Sequence, residues 1–329
     1  MILAGDVGGT KVALALVDPS GDGFRIHREA RYETAAHDGL ASVARAFLEG
    51  AEERPDVAAF GVAAPIVGDP VTMTNADWTL DREALADEIG VGRIELLNDV
   101  AAAALGVGLL GPGGLEPLHA GRPRGSTTLL VAAGTGLGAA LLDETGGRPR
   151  VLPGEGGHQA FAPRRPLEDE LLAFLRGRFP DHVSVERVVS GPGIPAIYHF
   201  LLESGREEEP AGLARRLAAA PDRAEAISGA ALAGEGGICR ATMEVFAGCY
   251  GSAAGDLALA GLALAGVRLS GGIARDILPI LRAGPFLEAF RAKGRMRALL
   301  ENVPVHVVVD PSAALLGAAR WVTHAGRMA

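Results

Sequence analysis

A short apolar run at Ile2 to Ala4 leads directly into Gly5-Asp6-Val7-Gly8-Gly9-Thr10-Lys11, and a second apolar run, Val12 to Val17, follows at once. This reads as a strand, a glycine turn and a strand. The arrangement recurs at Thr127 to Ala133, where an apolar segment meets Gly134-Thr135-Gly136-Leu137-Gly138 and then Ala139 to Asp143. A third glycine turn, Ser270-Gly271-Gly272-Ile273, follows the short apolar run Val267 to Leu269. Glycine turns opening both halves imply a duplicated architecture with a cleft between the halves, where two turns face one ligand. Residues without Cβ can take positive φ and let backbone N–H groups converge on an anion. Thr10 adds a hydroxyl, Lys11 a cation, and Asp6 a strand-end carboxylate suited to a hydrated magnesium ion. Gly-Gly between two apolar runs is equally the signature of a tight hairpin, so the first turn alone leaves both readings open.

Composition narrows the function classes. The chain has 329 residues, long enough for a large core and two domains, and its 48% hydrophobic and 22% charged residues exclude a disordered or fibrous class. With 31 basic against 40 acidic residues the net charge is −9, so no overall electrostatic drive toward nucleic acid or anionic lipid exists. Lys11 and Lys293 are the only lysines, and one of them sits in the first glycine turn. Cys239 and Cys249 lie in a helical pattern that suits buried thiols better than a disulfide framework or a zinc site. No signal-peptide core and no membrane-spanning run is present, and a soluble cytoplasmic protein is expected.

Apolar patterning gives mixed α/β order. Residues 2–7, 12–17 and 24–32 read as three strands in antiparallel succession; Leu40, Val43, Ala44, Phe47 and Leu48 form one face of a helix. Val57 to Ala64 and Arg93 to Leu97 read as buried strands flanking a helix capped by Asp81. A polar, glycine-rich stretch after Leu110 marks a domain boundary. The expected domains are residues 1–109 with 310–329, and residues 110–309, the second carrying a helical insertion between Pro166 and Gly266. Within it, a long Ala-rich helix runs from about Glu235 to Leu264. Val305 to Val309 is a further strand, and Asp310 or Ser312 caps a terminal helix through Trp321.

Several residues can carry chemistry. Asn98-Asp99 stands at the carboxyl end of a strand, where open α/β sheets contact ligands; Asp99 suits a base, and both residues equally suit a helix cap. Pro153-Gly154-Glu155-Gly156-Gly157-His158 is a bent, glycine-rich loop, so Glu155 and His158 can converge on sugar hydroxyls, although a solvent loop with an incidental histidine fits too. Glu186 reads as an ordinary surface residue of a short helix capped by Ser184, and Asn75 as a turn residue. Walker-type and Rossmann glycine loops are absent.

Taken together, these segments resemble the sugar kinase, chaperone ATPase and actin-like superfamily, and within it the bacterial glucokinase family that lacks the zinc motif of the repressor and sugar-kinase (ROK) group. The resemblance runs end to end, and Leu152 to His158 is its most specific string. It implies two ribonuclease H-like domains around an interdomain cleft, ATP and Mg²⁺ as cofactors, no zinc, and phosphorylation of glucose at the 6-hydroxyl as one step of glycolysis. Asn75, Asn98, Asp99, Glu155, His158 and Glu186 would bind the sugar, with Asp99 as base, and the site would be complete only on domain closure. Asp6, Gly8, Gly9, Thr10, Lys11, Gly134, Thr135, Gly136 and Gly138 would hold the phosphates, Asp6 the magnesium through water, and Gly271 and Gly272 the adenosine. Lys11 departs from the asparagine of some members. The family also implies a homodimer and no nucleic-acid or membrane partner; the helix-turn-helix of ROK regulators has no room before a strand beginning at Ile2. Alternatives are a kinase for mannose, fructose or an amino sugar, and a non-catalytic sugar-responsive protein on the same fold.

Overall fold

Strand β1 (Ile2–Val7) lies at the centre of a five-stranded sheet, where its apolar side chains are buried on both faces. Beside it run β2 (Lys11–Ser20) and β3 (Gly23–Glu33), each antiparallel to its neighbour, as short loops permit. On the other side β4 (Val57–Val62) pairs parallel with β1, and β7 (Ile94–Asn98) parallel with β4, giving the order β3-β2-β1-β4-β7. Between them in sequence, β5 (Val71–Thr72) and β6 (Thr79–Leu80) form a separate two-stranded ribbon. Parallel pairing needs crossovers, which the helices Leu40–Leu48 and Arg82–Ile89 supply. The first buries the face read from sequence, Leu40, Val43, Ala44, Phe47 and Leu48. The second begins at Asp81, whose carboxylate accepts the Ala84 N–H at 2.9 Å.

The computed structural model describes residues 1–21, 23–73, 76–147 and 149–325, which divide into two units. One comprises Met1–Leu115, Ala140–Pro153 and the C-terminal segment from Asp310; the other comprises Glu116–Ala139 and Gly154–Val309. The remaining strands, β8 (Leu115–His119), β9 (Thr127–Ala133), β10 (Leu137–Asp143), β11 (Arg150–Gly154), β12 (Gly266–Ser270) and β13 (Val305–Val308), form a sheet ordered β11-β10-β9-β12-β13-β8. Its central pairs β9–β12 and β12–β13 are parallel. Helices Pro166–Arg176, Gly193–Glu203, Ala211–Ala219, Arg223–Leu232 and Gly237–Ala260 fill the expected insertion. The last, 24 residues long, ends short of Leu264 and packs beneath the sheet, its Tyr250 hydroxyl donating to the Val131 carbonyl at 3.3 Å. Both cysteines sit in this helix, buried, and burial pushes the Cys239 thiol up to about 11. Among the described residues no helix is long and apolar enough to cross a membrane.

The stretch expected to be a polar boundary loop contains β8. It lies at a sheet edge, only partly buried, so no apolar run announced it; His119 Nε2 bonds the Glu301 carbonyl at 2.8 Å there. β11, at the opposite edge, is largely exposed for the same reason. The Glu186 segment is a single 3-10 turn, Val185–Arg187, and Ser184 makes no side-chain cap bond to it.

In the first unit the helix Asp99–Val107 lies against the C-terminal helix Ala313–Ala325 so closely that their backbones nearly touch. A Cβ on Gly106 would fall 1.8 Å from the Ala313 carbonyl oxygen, and one on Gly317 1.7 Å from that of Ala102. Neither helix can yield without lifting off the other. Gly317→Ala should therefore destabilise the protein by about 1–3 kcal/mol, the usual range for overpacking. Gly229→Ala, in the helix Arg223–Leu232 with nothing within 4 Å of the new Cβ, should stabilise by about 0.5–1 kcal/mol. Urea denaturation of both variants checks the contrast, and equal effects would refute the packing argument.

Candidate active site

The first unit gathers its polar residues where β1, β4 and β7 end, and parallel strands end at one edge, so Asp6 and Asp99 become neighbours. Gly61, the β4 register partner of Asp6, makes this possible: a Cβ there would stand 2.8 Å from Ala102 Cβ and 3.4 Å from Asp99 Cα. Burial, then the neighbouring charge of Asp99, pushes the Asp6 carboxyl up to about 7, against the opposing pull of the Arg31 guanidinium. Asp99 opens its helix and its Oδ1 accepts the Val100 N–H at 2.8 Å. Asn98 is the N-cap, its Oδ1 accepting from Val100 N and Ala101 N, both at 3.1 Å, while Nδ2 donates to the Ala64 carbonyl at 3.4 Å. The cap reading therefore holds for Asn98, with one amide proton used within the protein.

Gly8, Gly9 and Thr10 form the turn between β1 and β2, so the hairpin geometry is present together with whatever the turn binds. Gly8 does not use a left-handed φ; it is needed because a Cβ would meet the Lys11 carbonyl at 3.2 Å. Gly5 plays no part in the turn either. Phe60 on β4 lies across it, 2.4 Å from where its Cβ would be. Thr34, unread from sequence, pins the turn: its Oγ1 donates to the Gly8 carbonyl at 3.0 Å and its N–H to that of Thr10 at 2.9 Å. The Lys11 side chain is exposed and 4.0 Å from Glu33. Asn75 lies outside the described residues.

In the second unit the turn Gly134 to Gly136 is closed by Gly134 N–H on the Gly136 carbonyl at 2.9 Å, with exposed Thr135 between them. Gly138 follows within β10. Glu186 supports this turn from the side: Oε2 accepts the Leu137 N–H at 2.8 Å, and Gly191 N donates to the Gly134 carbonyl at the same distance. A Cβ on Gly136 would fall 2.5 Å from that carboxylate oxygen. Gly271 ends β12 at φ 90°, where a Cβ would lie 2.2 Å from the Ala133 carbonyl, and Gly272 begins a short helix. Of these glycines, Gly271 is the one set by a backbone approach that only glycine allows; Gly136 makes room for the Glu186 carboxylate, and Gly134 has open space beside it.

Glu155 precedes a 3-10 turn, Gly156–His158, and both side chains are exposed, with His158 Nε2 3.8 Å from Glu155 Oε2. The turn is seated by two glycines. Gly157 lies over the Leu137 carbonyl, 2.0 Å from an added Cβ, and Gly156 packs on Leu257 of the long helix. Downstream, Ala160 bridges Ser184, Val185 N donates to the Gln159 carbonyl at 2.9 Å, and Phe161 N to that of Val183 at 2.9 Å. Glu155, His158 and Glu186 therefore stand on laced neighbouring segments. Beyond them Glu168, fully buried, accepts from Arg164 N at 2.8 Å and from Arg165 Nε at 3.1 Å, which anchors the end of the loop.

An oxygen-only donor set of one or two carboxylates suits a hard cation that also takes phosphate oxygens, and Asp6 beside Asp99 fits Mg²⁺ in that manner. The model for the family described as glucokinase matches residues 3–325. A glucokinase of Nostoc punctiforme is 39% identical over 333 residues, covering 97% of this chain and 98% of that protein. The crystal structure of a glucokinase from an Antarctic psychrotroph superposes with a TM-score of 0.84 at 33% identity, covering 98% of each chain. A ROK family glucokinase from Streptomyces griseus, solved with glucose and AMPPNP, shares the fold at a TM-score of 0.68 and 21% identity, covering 97% of this chain and 98% of that one. The mixed α/β architecture is that of the actin-like sugar kinases, and the chain belongs to the glucokinase family.

Proposed function

We propose that the protein transfers the γ-phosphoryl group of ATP to the 6-hydroxyl of glucose, with Asp99 as general base. Family membership over residues 3–325 supports the reaction, and the observation that carries the assignment of the base is the Asp6–Asp99 carboxylate pair at the ends of β1 and β7, on either side of β4. Phosphoryl transfer needs an in-line hydroxyl and neutralisation of phosphate charge, with little covalent help, so positioning dominates. Asp99, held at a helix N-terminus by its own backbone contact, takes the hydroxyl proton as the new O–P bond forms and the bond from the γ-phosphorus to the bridging oxygen breaks, releasing ADP. Asn75, Asn98, Glu155, His158 and Glu186 bind the sugar hydroxyls in this reading. The turns Gly8 to Thr10 and Gly134 to Gly138 hold the phosphates through those of their amides that are not already bonded within the protein, as Gly8 N is to the Lys11 carbonyl, Gly134 N to the Gly136 carbonyl and Leu137 N to Glu186; Lys11 adds its charge, and Gly271 and Gly272 admit the adenosine. When bound, Mg²⁺ supplies charge neutralisation at the phosphate oxygens; Asp6 holds it through water.

Asp99→Asn should keep glucose affinity within severalfold and lower kcat at least about a hundredfold, the range for a general base. Isothermal titration with glucose and steady-state rates measure the two quantities. Near-normal kcat would remove Asp99 as the base, and absence of hexose binding in the parent protein would remove the kinase reading itself.

Asp6 yields a prediction about stability. Its folded pKa of about 7 exceeds the ordinary 3.8, so the stability it contributes is fully present below 3.8 and is lost as pH rises through 7. Asp6→Asn removes that loss. In metal-free buffer the variant's advantage over the parent should grow by roughly 2–3 kcal/mol between about pH 5 and pH 8, at ~1.36 kcal/mol per pKa unit. Activity with MgATP should fall at the same time. Urea midpoints at the two pH values check the sign, and an advantage that shrinks with rising pH would contradict the burial argument.

A further inference from the structure

We infer that His182 is a positioning residue for sugar binding, fixing the turn that presents Glu155 and His158. The inference rests on the sugar-binding reading of that turn. Its basis is a direct contact: His182 Nε2 lies 2.8 Å from the His158 carbonyl oxygen, so the imidazole N–H donates to the backbone of a residue whose side chain faces the sugar. Within the turn, His158 N already donates to the Glu155 carbonyl at 3.0 Å and Gln159 N to that of Gly156 at 3.3 Å. The His158 carbonyl is where the chain leaves the 3-10 turn for extended backbone at Gln159. A donor at this point sets the direction in which the His158 side chain leaves the turn.

The position of His182 in the chain strengthens the argument. It begins the segment that runs through Val183 and Ser184, paired with Phe161 and Ala160, to Glu186. Four residues beyond His182, the Glu186 carboxylate accepts from Leu137 of the glycine turn, and Gly191 N closes on Gly134. One segment thus braces the sugar turn at one end and the phosphate turn at the other. The phosphate end has a part-buried carboxylate contact and a backbone bond of its own, whereas the exposed His182 imidazole is the side chain that bonds the His158 carbonyl, beside the backbone bonds and glycine packing already given for that turn. Loss of the imidazole acts on sugar recognition and leaves the phosphate turn in place. A carbonyl oxygen only accepts, so the imidazole donates to it through Nε2–H.

The test is a set of three variants of the full chain, with steady-state kinetics in both substrates and thermal melting. His182→Ala should raise the glucose KM about two- to tenfold, the loss expected for one neutral hydrogen bond. The ATP KM should stay within about twofold and the melting temperature within about 2 °C, since an exposed polar residue carries little stability. His182→Gln, whose amide nitrogen reaches the place of Nε2, should restore the glucose KM to within about twofold of the parent. An unchanged glucose KM in His182→Ala overturns the inference. So does a parallel rise in both KM values with a fall of several degrees in melting temperature, or failure of glutamine to rescue. Glu155→Gln separates the two levels: if it leaves the glucose KM unchanged, the sugar-binding reading fails and takes the inference with it. If Glu155→Gln raises KM and His182→Ala does not, only the role of His182 falls.

Discussion

Backbone brought to backbone, at points where a Cβ has no room, is the constraint on which this molecule depends. Gly157 lies on the Leu137 carbonyl, Gly271 on that of Ala133, and Gly106 and Gly317 on the facing helix. Each contact removes a side chain from a place where an added Cβ would lie only 1.7–2.2 Å from a carbonyl oxygen, and so lets the two elements cross more closely. The gain is positional: β9 and β12 pair in parallel, and Gly271, just past the end of β12, lies against the Ala133 carbonyl at the end of β9. Interiors this tightly packed transmit displacement rather than absorb it. The glycine pattern that opens the chain and recurs in it is thus a packing requirement first, and its chemistry follows from the packing.

Elements built around apolar runs were legible in the sequence because burial and periodicity coincide there. Thr127–Ala133, Leu40–Leu48 and the Asp81 cap emerge at their expected places, since each writes its signal into consecutive residues. β8 and β11 were not legible, since an edge strand needs only one partner and carries no buried alternation. Gly5 read as part of a turn and is instead the seat of Phe60, a fact written at residue 60 and invisible at residue 5.

The site divides along the same line. Asp6, Asp99, Glu155 and His158 stood out because chemistry-bearing side chains next to glycine or at a strand end are locally recognisable, whereas Glu186 entered only through the family resemblance. The residues that hold them in place were not. Thr34 reaches back 26 positions to Gly8, and His182 24 positions to His158, and nothing local to a threonine or an exposed histidine announces such a partner. Glu186 shows a further limit. A surface glutamate and a turn-supporting one have the same sequence neighbourhood, and only the Leu137 amide tells them apart.

Local rules are broken most plainly at Asp6, where a carboxylate is buried near another and held part-protonated at neutral pH. A fold optimised only for stability would place an uncharged residue there, and the neighbouring Arg31 relieves the cost only in part. The repulsion is nevertheless well placed. Two carboxylates at the ends of β1 and β7, either side of β4, form a region of negative potential that a cation carrying phosphate oxygens would neutralise, and a proton does the same work less well. Desolvation is the larger part of what holds the Asp6 carboxyl up, and the Asp99 charge the smaller; a bound cation would offset both by favouring the ionised form that folding disfavours.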